Sequence, residues 1–328
     1  MRRFVYRNAT TIAEAASLLR AGDAALLAGG TDLINLLKMG ALKNPPAVLV
    51  NIKSIAGLNS IKEDAEGLRI GALATLADIA SSRMIQSQYP AVAGAAASAS
   101  SPALREMSTL GGNLCQQVQC WYFRRSLSTG TFFDCLRKGG RECYAVAGDN
   151  RYHAVLGARR CFAVCPSDAA VALAALNASI VTTKRSLPLD GFFGELGNAL
   201  QEDEIIVAIH VPAPGPGTKQ VFSKFALRPS LDFALASVAL ALTTERERVS
   251  HARIMLGGVA PGPFRAGKAE DILLGSRLSG PLAEAAAAAA LGDSVPLSDN
   301  EHKIQIARAL LKRALLKCKE LSAGDRAN

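Results

Sequence analysis

Six of the seven cysteines fall within fifty residues of one another, at Cys115, Cys120, Cys135, Cys143, Cys161 and Cys165, and Cys318 stands apart. An odd count with no export signal disfavours a disulfide framework. Clustered thiols then point to a metal. The spacing C-x4-C-x14-C-x7-C-x17-C-x3-C holds no CxxC knuckle, so a zinc ribbon is poorly supported. An all-thiolate iron–sulfur site fits better, although spacing alone does not dictate it. Four thiolates around a [4Fe–4S] core would leave about −2 of charge, which nearby cations must balance. The same stretch supplies them. Residues 121–160 carry eight Lys/Arg against three Asp/Glu, a net +5 of the chain's +9. The alternative is a set of scattered buried thiols beneath a solvated basic loop. His153 lies in this segment and is expected beside the cysteines or at the surface rather than as a ligand. Cys318 is expected to be structural.

A second chemistry is offered by two Gly-Gly segments. One is Leu26-Leu27-Ala28-Gly29-Gly30-Thr31-Asp32-Leu33 and the other Ser108-Thr109-Leu110-Gly111-Gly112-Asn113-Leu114. Glycine pairs permit positive φ and close backbone approach, so successive N–H groups can converge on an anion such as a diphosphate. A plain structural turn is the alternative at each. No GxGxxG follows a strand, so the usual dinucleotide fingerprint is missing. Gly262 to Ala269 has GxxxxGK spacing, but Ala269 replaces the magnesium-binding hydroxyl and Pro263 removes an amide donor, so a strand–turn–helix connection is expected there. The four histidines are dispersed, and neither HExxH nor a nucleophile elbow is present.

The elements that must position these residues read as α/β. Helical spacing runs from Thr11 to Leu19, Ala24–Ala28 and Ala47–Ile52 are strand-like, and Thr31/Asp32 can cap a helix over Leu33–Met39. A second unit begins near Gly57, with a strand at Leu68–Ala72 and a helix opening at Thr75. It breaks at the cysteine segment and resumes with a helix over 169–176 and a strand over 179–183. Pro212-Ala213-Pro214-Gly215-Pro216-Gly217 is the clearest linker. Beyond it come a strand at 219–226, an apolar element at 233–242, a strand at 252–259, and helices at 280–291 and 303–321. With 328 residues, 49% hydrophobic and 20% charged, the chain is globular, about two domains long, and has no apolar run of the ~18 residues a membrane helix needs. Two arginines at the N-terminus precede no apolar stretch, so a cytoplasmic location is expected unless a signal-bearing partner exports the assembly.

Taken together, Ala28-Gly29-Gly30-Thr31-Asp32-Leu33, Thr109-Leu110-Gly111-Gly112-Asn113-Leu114, Pro166-Ser167-Asp168 and Leu256-Gly257-Gly258-Val259-Ala260-Pro261, in that order, make the chain resemble the FAD-binding medium subunit of the molybdenum hydroxylases, the xanthine dehydrogenase and carbon monoxide dehydrogenase family. The cysteine segment, with Cys120-Trp121-Tyr122-Phe123 and Cys143-Tyr144-Ala145, is most similar to the [4Fe–4S]-bearing subunit of periplasmic-type bacterial aldehyde oxidoreductases. The resemblance implies an α/β (α+β) fold. A two-part FAD-binding domain of the PCMH/vanillyl-alcohol-oxidase-like type would occupy 1–56 and 57–217, with the [4Fe–4S] insertion at about 115–165. A small α/β domain of the CO dehydrogenase flavoprotein type, with a three-stranded sheet under helices, would occupy 218–328.

The resemblance also implies residue roles. FAD would be held by Leu26, Leu27, Ala28, Gly29, Gly30, Thr31, Asp32 and Leu33, with Ser108, Gly112 and Asn113 from the second segment. Asp168 would take the ribose or adenine end, and Lys224 would reach the flavin. Arg228 and Asp232 are weaker candidates. Cys120, Cys135, Cys143 and Cys161 would bind the [4Fe–4S] cluster, with Cys165 or Cys115 the alternative at one place. No catalytic side chain is implied. The partners would be a large molybdopterin subunit, a small [2Fe–2S] subunit and an external electron acceptor, and the complex would oxidise an aldehyde. A xanthine dehydrogenase or a 4-hydroxybenzoyl-CoA reductase subunit is the alternative within the family. A basic iron–sulfur nucleic-acid binder is the alternative outside it, although 5% aromatic residues is thin for base stacking.

Overall fold

Three sheets follow one another along the chain in the computed structural model, which describes residues 2–125, 133–229 and 231–324. The first is parallel, with strands β1 (Val5–Asn8), β2 (Ala24–Leu27) and β3 (Val48–Asn51) in the order β1-β3-β2. Helices Ile12–Arg20 and Leu33–Met39 make the crossovers that parallel pairing requires. Thr11 caps the first of these by accepting the Glu14 N–H, and Glu14 reaches back to the Thr10 N–H. The second helix has the expected limits but a different start. The Asp32 side chain makes no cap bond, because other groups have claimed it.

The second sheet is antiparallel. Its strands β4 (Ile61–Asp64), β5 (Gly67–Gly71), β6 (Ser179–Thr182), β7 (Ser186–Pro188) and β8 (Ile206–Pro212) lie in the order β4-β5-β8-β6-β7. Between β5 and β6 the chain leaves the sheet, and this excursion carries the second Gly-Gly segment and every clustered cysteine. Helices Pro90–Ser98 and Asp168–Ala175 pack against each other and share a core with this sheet. Their alanines keep side chains short, which lets backbones approach closely, and all residues from Asp168 to Ala175 are buried.

The third sheet is antiparallel too, with β9 (Lys219–Phe225), β10 (Ala236–Glu245), β11 (Arg248–Gly257) and β12 (Phe264–Arg265) in the order β12-β11-β10-β9. Three long strands match the expected small domain, and the two-residue β12 makes the sheet four-stranded. Side chains alternate across a strand, and β10 shows why it is apolar throughout. Val238, Leu240 and Leu242 enter the core beneath helices Gly280–Ala290 and His302–Gly324, while Ala239 and Ala241 enter the core of the preceding domain. The sheet is therefore a partition between two cores. Cys318 is fully buried in the first of them, as its structural reading requires.

Two local expectations change. Gly111 and Gly112 lie in the first turn of a short helix, Leu110–Cys115, capped by Thr109 Oγ1 on the Gly112 N–H, rather than in a loop. The apolar element expected from Phe233 becomes strand only at Ala236. Before it the backbone turns, held by the Arg228–Asp232 ion pair. The GxxxxGK segment is the expected strand–turn–helix, and Lys268 pairs with Asp293 at the surface.

Candidate functional site

The two Gly-Gly segments meet face to face. A Cβ on Gly29 would lie 1.7 Å from the Met107 carbonyl oxygen, so only glycine allows this approach. Gly30 sits at φ +72°, in the left-handed region that disfavours side chains. Ser108 Oγ and Thr31 Oγ1 lie 3.2 Å apart across the seam. From this seam three neighbouring cavities of about 230, 170 and 490 Å³, each sharing lining residues with the next, form a groove. The first is lined by residues 25–33 with Gly112. The second adds Ser108, Asn113, Asp168 and Lys224 and shares Thr31, Asp32, Gly112 and Gln116 with the first. The third opens between the cysteine segment and the C-terminal domain, lined by Trp121, Tyr152, His153, Arg228, Asp232 and Phe233. All thirteen expected cofactor positions thus lie along one groove.

Asp168 and Lys224 are not free polar arms. Lys224 Nζ stands 2.7 Å from Asp168 Oδ2 and donates also to the Ser98 carbonyl, and both side chains are buried. Burial raises the Asp168 carboxyl above its ordinary value, and the lysine opposes that rise. The pair pins β9 to helix Asp168–Ala175 at the middle of the groove. Arg228 and Asp232, by contrast, pair with each other on the exposed rim.

Asp32 is a junction. It accepts the Gln117 N–H at 2.8 Å, and its other oxygen takes the Arg124 guanidinium at 2.6 Å. Arg124 donates further to the carbonyls of Val118 and Gln117. The first Gly-Gly segment is thereby tied to helix Trp121–Arg124, which begins one residue after Cys120.

The four cysteines implied by resemblance come together. Cys120, Cys135, Cys143 and Cys161 line one small pocket with Phe123, Tyr144 and Arg137 around them. Cys115 and Cys165 do not line it. Burial pushes both of those thiols up to about 12, the behaviour of inert core groups. In the pocket itself, burial pushes Cys120 up to about 11, against the Phe123 and Tyr122 N–H groups that favour its thiolate. Cys143 and Cys161 share a hydrogen bond, which raises Cys143 and lowers Cys161. Backbone N–H groups of Phe162 and Ala145 reach Cys143, and those of Ala163 and the Arg137 side chain reach Cys161. Glu195 organises this edge, its Oε1 accepting the backbone N–H groups of Arg159, Arg160 and Cys161. Those three bonds hold its carboxyl below the ordinary value although burial acts the other way.

Among the described residues, no three His, Cys, Asp or Glu side chains stand close enough to grip a single metal ion. A mononuclear tetrahedral site would need thiolates at ~2.3 Å from a common centre. The four thiols line one pocket of about 10 Å³, within which Cys143 and Cys161 bond each other.

Two of the basic residues in this segment are turned inward. Arg124 and Lys138 are both buried, and Lys138 Nζ donates to the Arg125 carbonyl at 2.6 Å. This removes charge from the surface that a nucleic-acid binder would need. His153 is buried as well, with Nε2 3.3 Å from Cys120 Sγ. Lys303 is fully buried and donates to the carbonyls of Tyr152, His153 and Gly258. Composition and spacing single out neither Arg124 nor Lys303. A lysine in the apolar stripe of a helix is the only trace Lys303 leaves in the sequence.

Groove, fold and seam define a flavin-binding class of oxidoreductase domain. The family described as FAD binding domain in molybdopterin dehydrogenase matches residues 2–214, and the CO dehydrogenase flavoprotein C-terminal domain matches residues 221–318. The chain belongs to this family of oxidoreductase flavoprotein subunits. It is 34% identical to the aldehyde oxidoreductase FAD-binding subunit PaoB of Escherichia coli (strain K12), over 96% of this chain and 98% of that protein. It is 29% identical to the carbon monoxide dehydrogenase medium chain of Hydrogenophaga pseudoflava, over 95% and 96%. A solved structure of carbon monoxide dehydrogenase from that organism matches with a TM-score of 0.75 at 29% identity, over 96% of each chain. No described helix is long and apolar enough to cross a membrane.

Proposed function

We propose that this chain is the FAD-binding electron-transfer subunit of a molybdenum hydroxylase complex of the aldehyde oxidoreductase kind. The observation that carries the finer part of this reading is the convergence of Cys120, Cys135, Cys143 and Cys161 on one pocket whose wall is also a wall of the groove. A relative named as an aldehyde oxidoreductase subunit favours the aldehyde. The partners would be a large molybdopterin subunit and a small [2Fe–2S] subunit, and an external acceptor would take the electrons.

The groove would hold FAD, which supplies the redox chemistry that ordinary side chains lack. Gly29, Gly30 and Gly112 give backbone access at the seam, and Thr31, Ser108 and Asn113 offer hydroxyl and amide groups beside it. Lys224 and Asp168 neutralise each other and hold the C-terminal sheet against the groove, and no side chain here needs to act as an acid or base. The cysteine pocket would hold a [4Fe–4S] cluster, which adds a one-electron carrier. Arg137 and Lys138 would offset its negative charge.

The test is Cys135→Ser in the complete complex purified without oxygen. The reading expects iron to fall by about four per chain, with flavin retained. Iron unchanged in that variant contradicts the cluster assignment.

A further inference from the structure

Cys120 and Ala163 line both the cysteine pocket and the wide end of the groove, so the partition between the two is a single layer of residues. His153 lines the groove side of that partition. Its Nε2 lies 3.3 Å from Cys120 Sγ, and its Nδ1 is buried with no hydrogen-bond partner among the described residues. A ligating Cys120 thiolate accepts but cannot donate, so in that state the tautomer with the proton on Nε2 is favoured. A proton on Nδ1 would be a buried donor with nothing to accept it, and would leave the Nε2 lone pair facing sulfur. A proton on Nε2 gives the sulfur a donor and leaves Nδ1 as a bare acceptor.

The backbone that carries the ring is also fixed. Lys303 donates to the His153 carbonyl at 2.9 Å, and Asn300 Nδ2 donates to the His153 and Ala154 carbonyls. Trp121 and Tyr122 hold the ring at centroid distances of 5.9 and 6.0 Å. A histidine whose ring makes no other hydrogen bond among the described residues is thus held against one thiol by residues of both domains.

We propose that His153 is a positioning residue that donates its Nε2–H to the Cys120 thiolate and so sets the reduction potential of a cluster held there, at the ligand that borders the flavin groove. Hydrogen bonds to ligating sulfur stabilise the more negative, reduced state and raise the potential. The proposal rests on the reading that the four cysteines hold a cluster.

The test compares wild type, His153→Phe and His153→Gln in the complete complex, by iron and flavin content and by an EPR-monitored redox titration of the cluster. Phe fills the site without a donor, and Gln returns an N–H near the Nε2 position. The expected result is full iron and flavin in all three, a lower cluster potential in His153→Phe, and a potential restored toward wild type in His153→Gln. Equal potentials in all three at full iron overturn the proposal. So does loss of iron in both variants alike, which would make His153 a structural residue only. A wild-type complex without the four irons beyond those of the [2Fe–2S] partner removes the parent reading and this inference with it, and the wild-type control distinguishes that failure from the other two.

Discussion

At Gly29 a single methyl group decides whether the seam can close. The Cβ of Gly29→Ala would sit 1.7 Å from a backbone oxygen, and backbone cannot rotate away as a flexible side chain can. The two Gly-Gly segments must separate, and the variant is expected to lose bound flavin while remaining folded. Flavin released per chain, alongside far-UV circular dichroism, checks this. Gly191→Ala is the control, since nothing lies within 4 Å of its added methyl group and flavin should be retained.

Lys224→Met tests the groove's midpoint at the same scale. It leaves Asp168 buried and unpaired, and the expected loss is about 3–5 kcal/mol of stability at neutral pH. The sign of its pH dependence is fixed. With the lysine gone, the folded Asp168 carboxyl lies further above its unfolded value of about 3.9. The variant's deficit should therefore shrink as pH falls toward that value and the carboxyl takes up a proton. Denaturant melts at several pH values measure it. A deficit that grows on acidification contradicts the account.

Elements connect these residues across domains. Helix His302–Gly324 belongs to the C-terminal domain, yet its Lys303 grips carbonyls of the cysteine segment. Burial pushes the Lys303 ammonium down to about 7, below the unfolded value of about 10.4. The unfolded chain then binds more protons between those values, so this residue makes stability rise as pH increases from about 7 towards 10. Lys303→Met should abolish that rise, and should lower stability at pH 9 by about 2 kcal/mol or more through the orphaned carbonyls. Urea titrations at both pH values give the comparison. Glu195 plays a similar part from the loop after β7. On the proposed cluster reading, Glu195→Ala should speed iron loss to a chelator, because three backbone N–H groups at and next to Cys161 lose their acceptor.

Much of this was legible in sequence where a short-range rule applies. Helix Leu33–Met39 has its expected limits, and β2, β3 and β9 fall within a residue or so of theirs. The misreadings are tertiary. Asp32 looks like a helix cap, but Gln117 and Arg124, about ninety residues away, outcompete the cap bond. Gly111-Gly112 looks like a turn, but Thr109 caps a helix over it. Arg124 and Lys138 look like surface charge because composition cannot report that Asp32 and backbone carbonyls await them inside. The grouping of four cysteines apart from Cys115 and Cys165 is also beyond spacing, since no pair forms a short chelating motif.

For the molecule as a whole, the partition sheet joins two cores and the cysteine pocket abuts the wide end of the groove. The proposed function would use this arrangement to hold two redox groups side by side. The most direct test is anaerobic purification of the complex, with flavin and iron counted per copy of this chain. The account predicts about one FAD and about four irons on this chain beyond those of the partners. Flavin without that extra iron would contradict the cluster, and iron without flavin would contradict the groove.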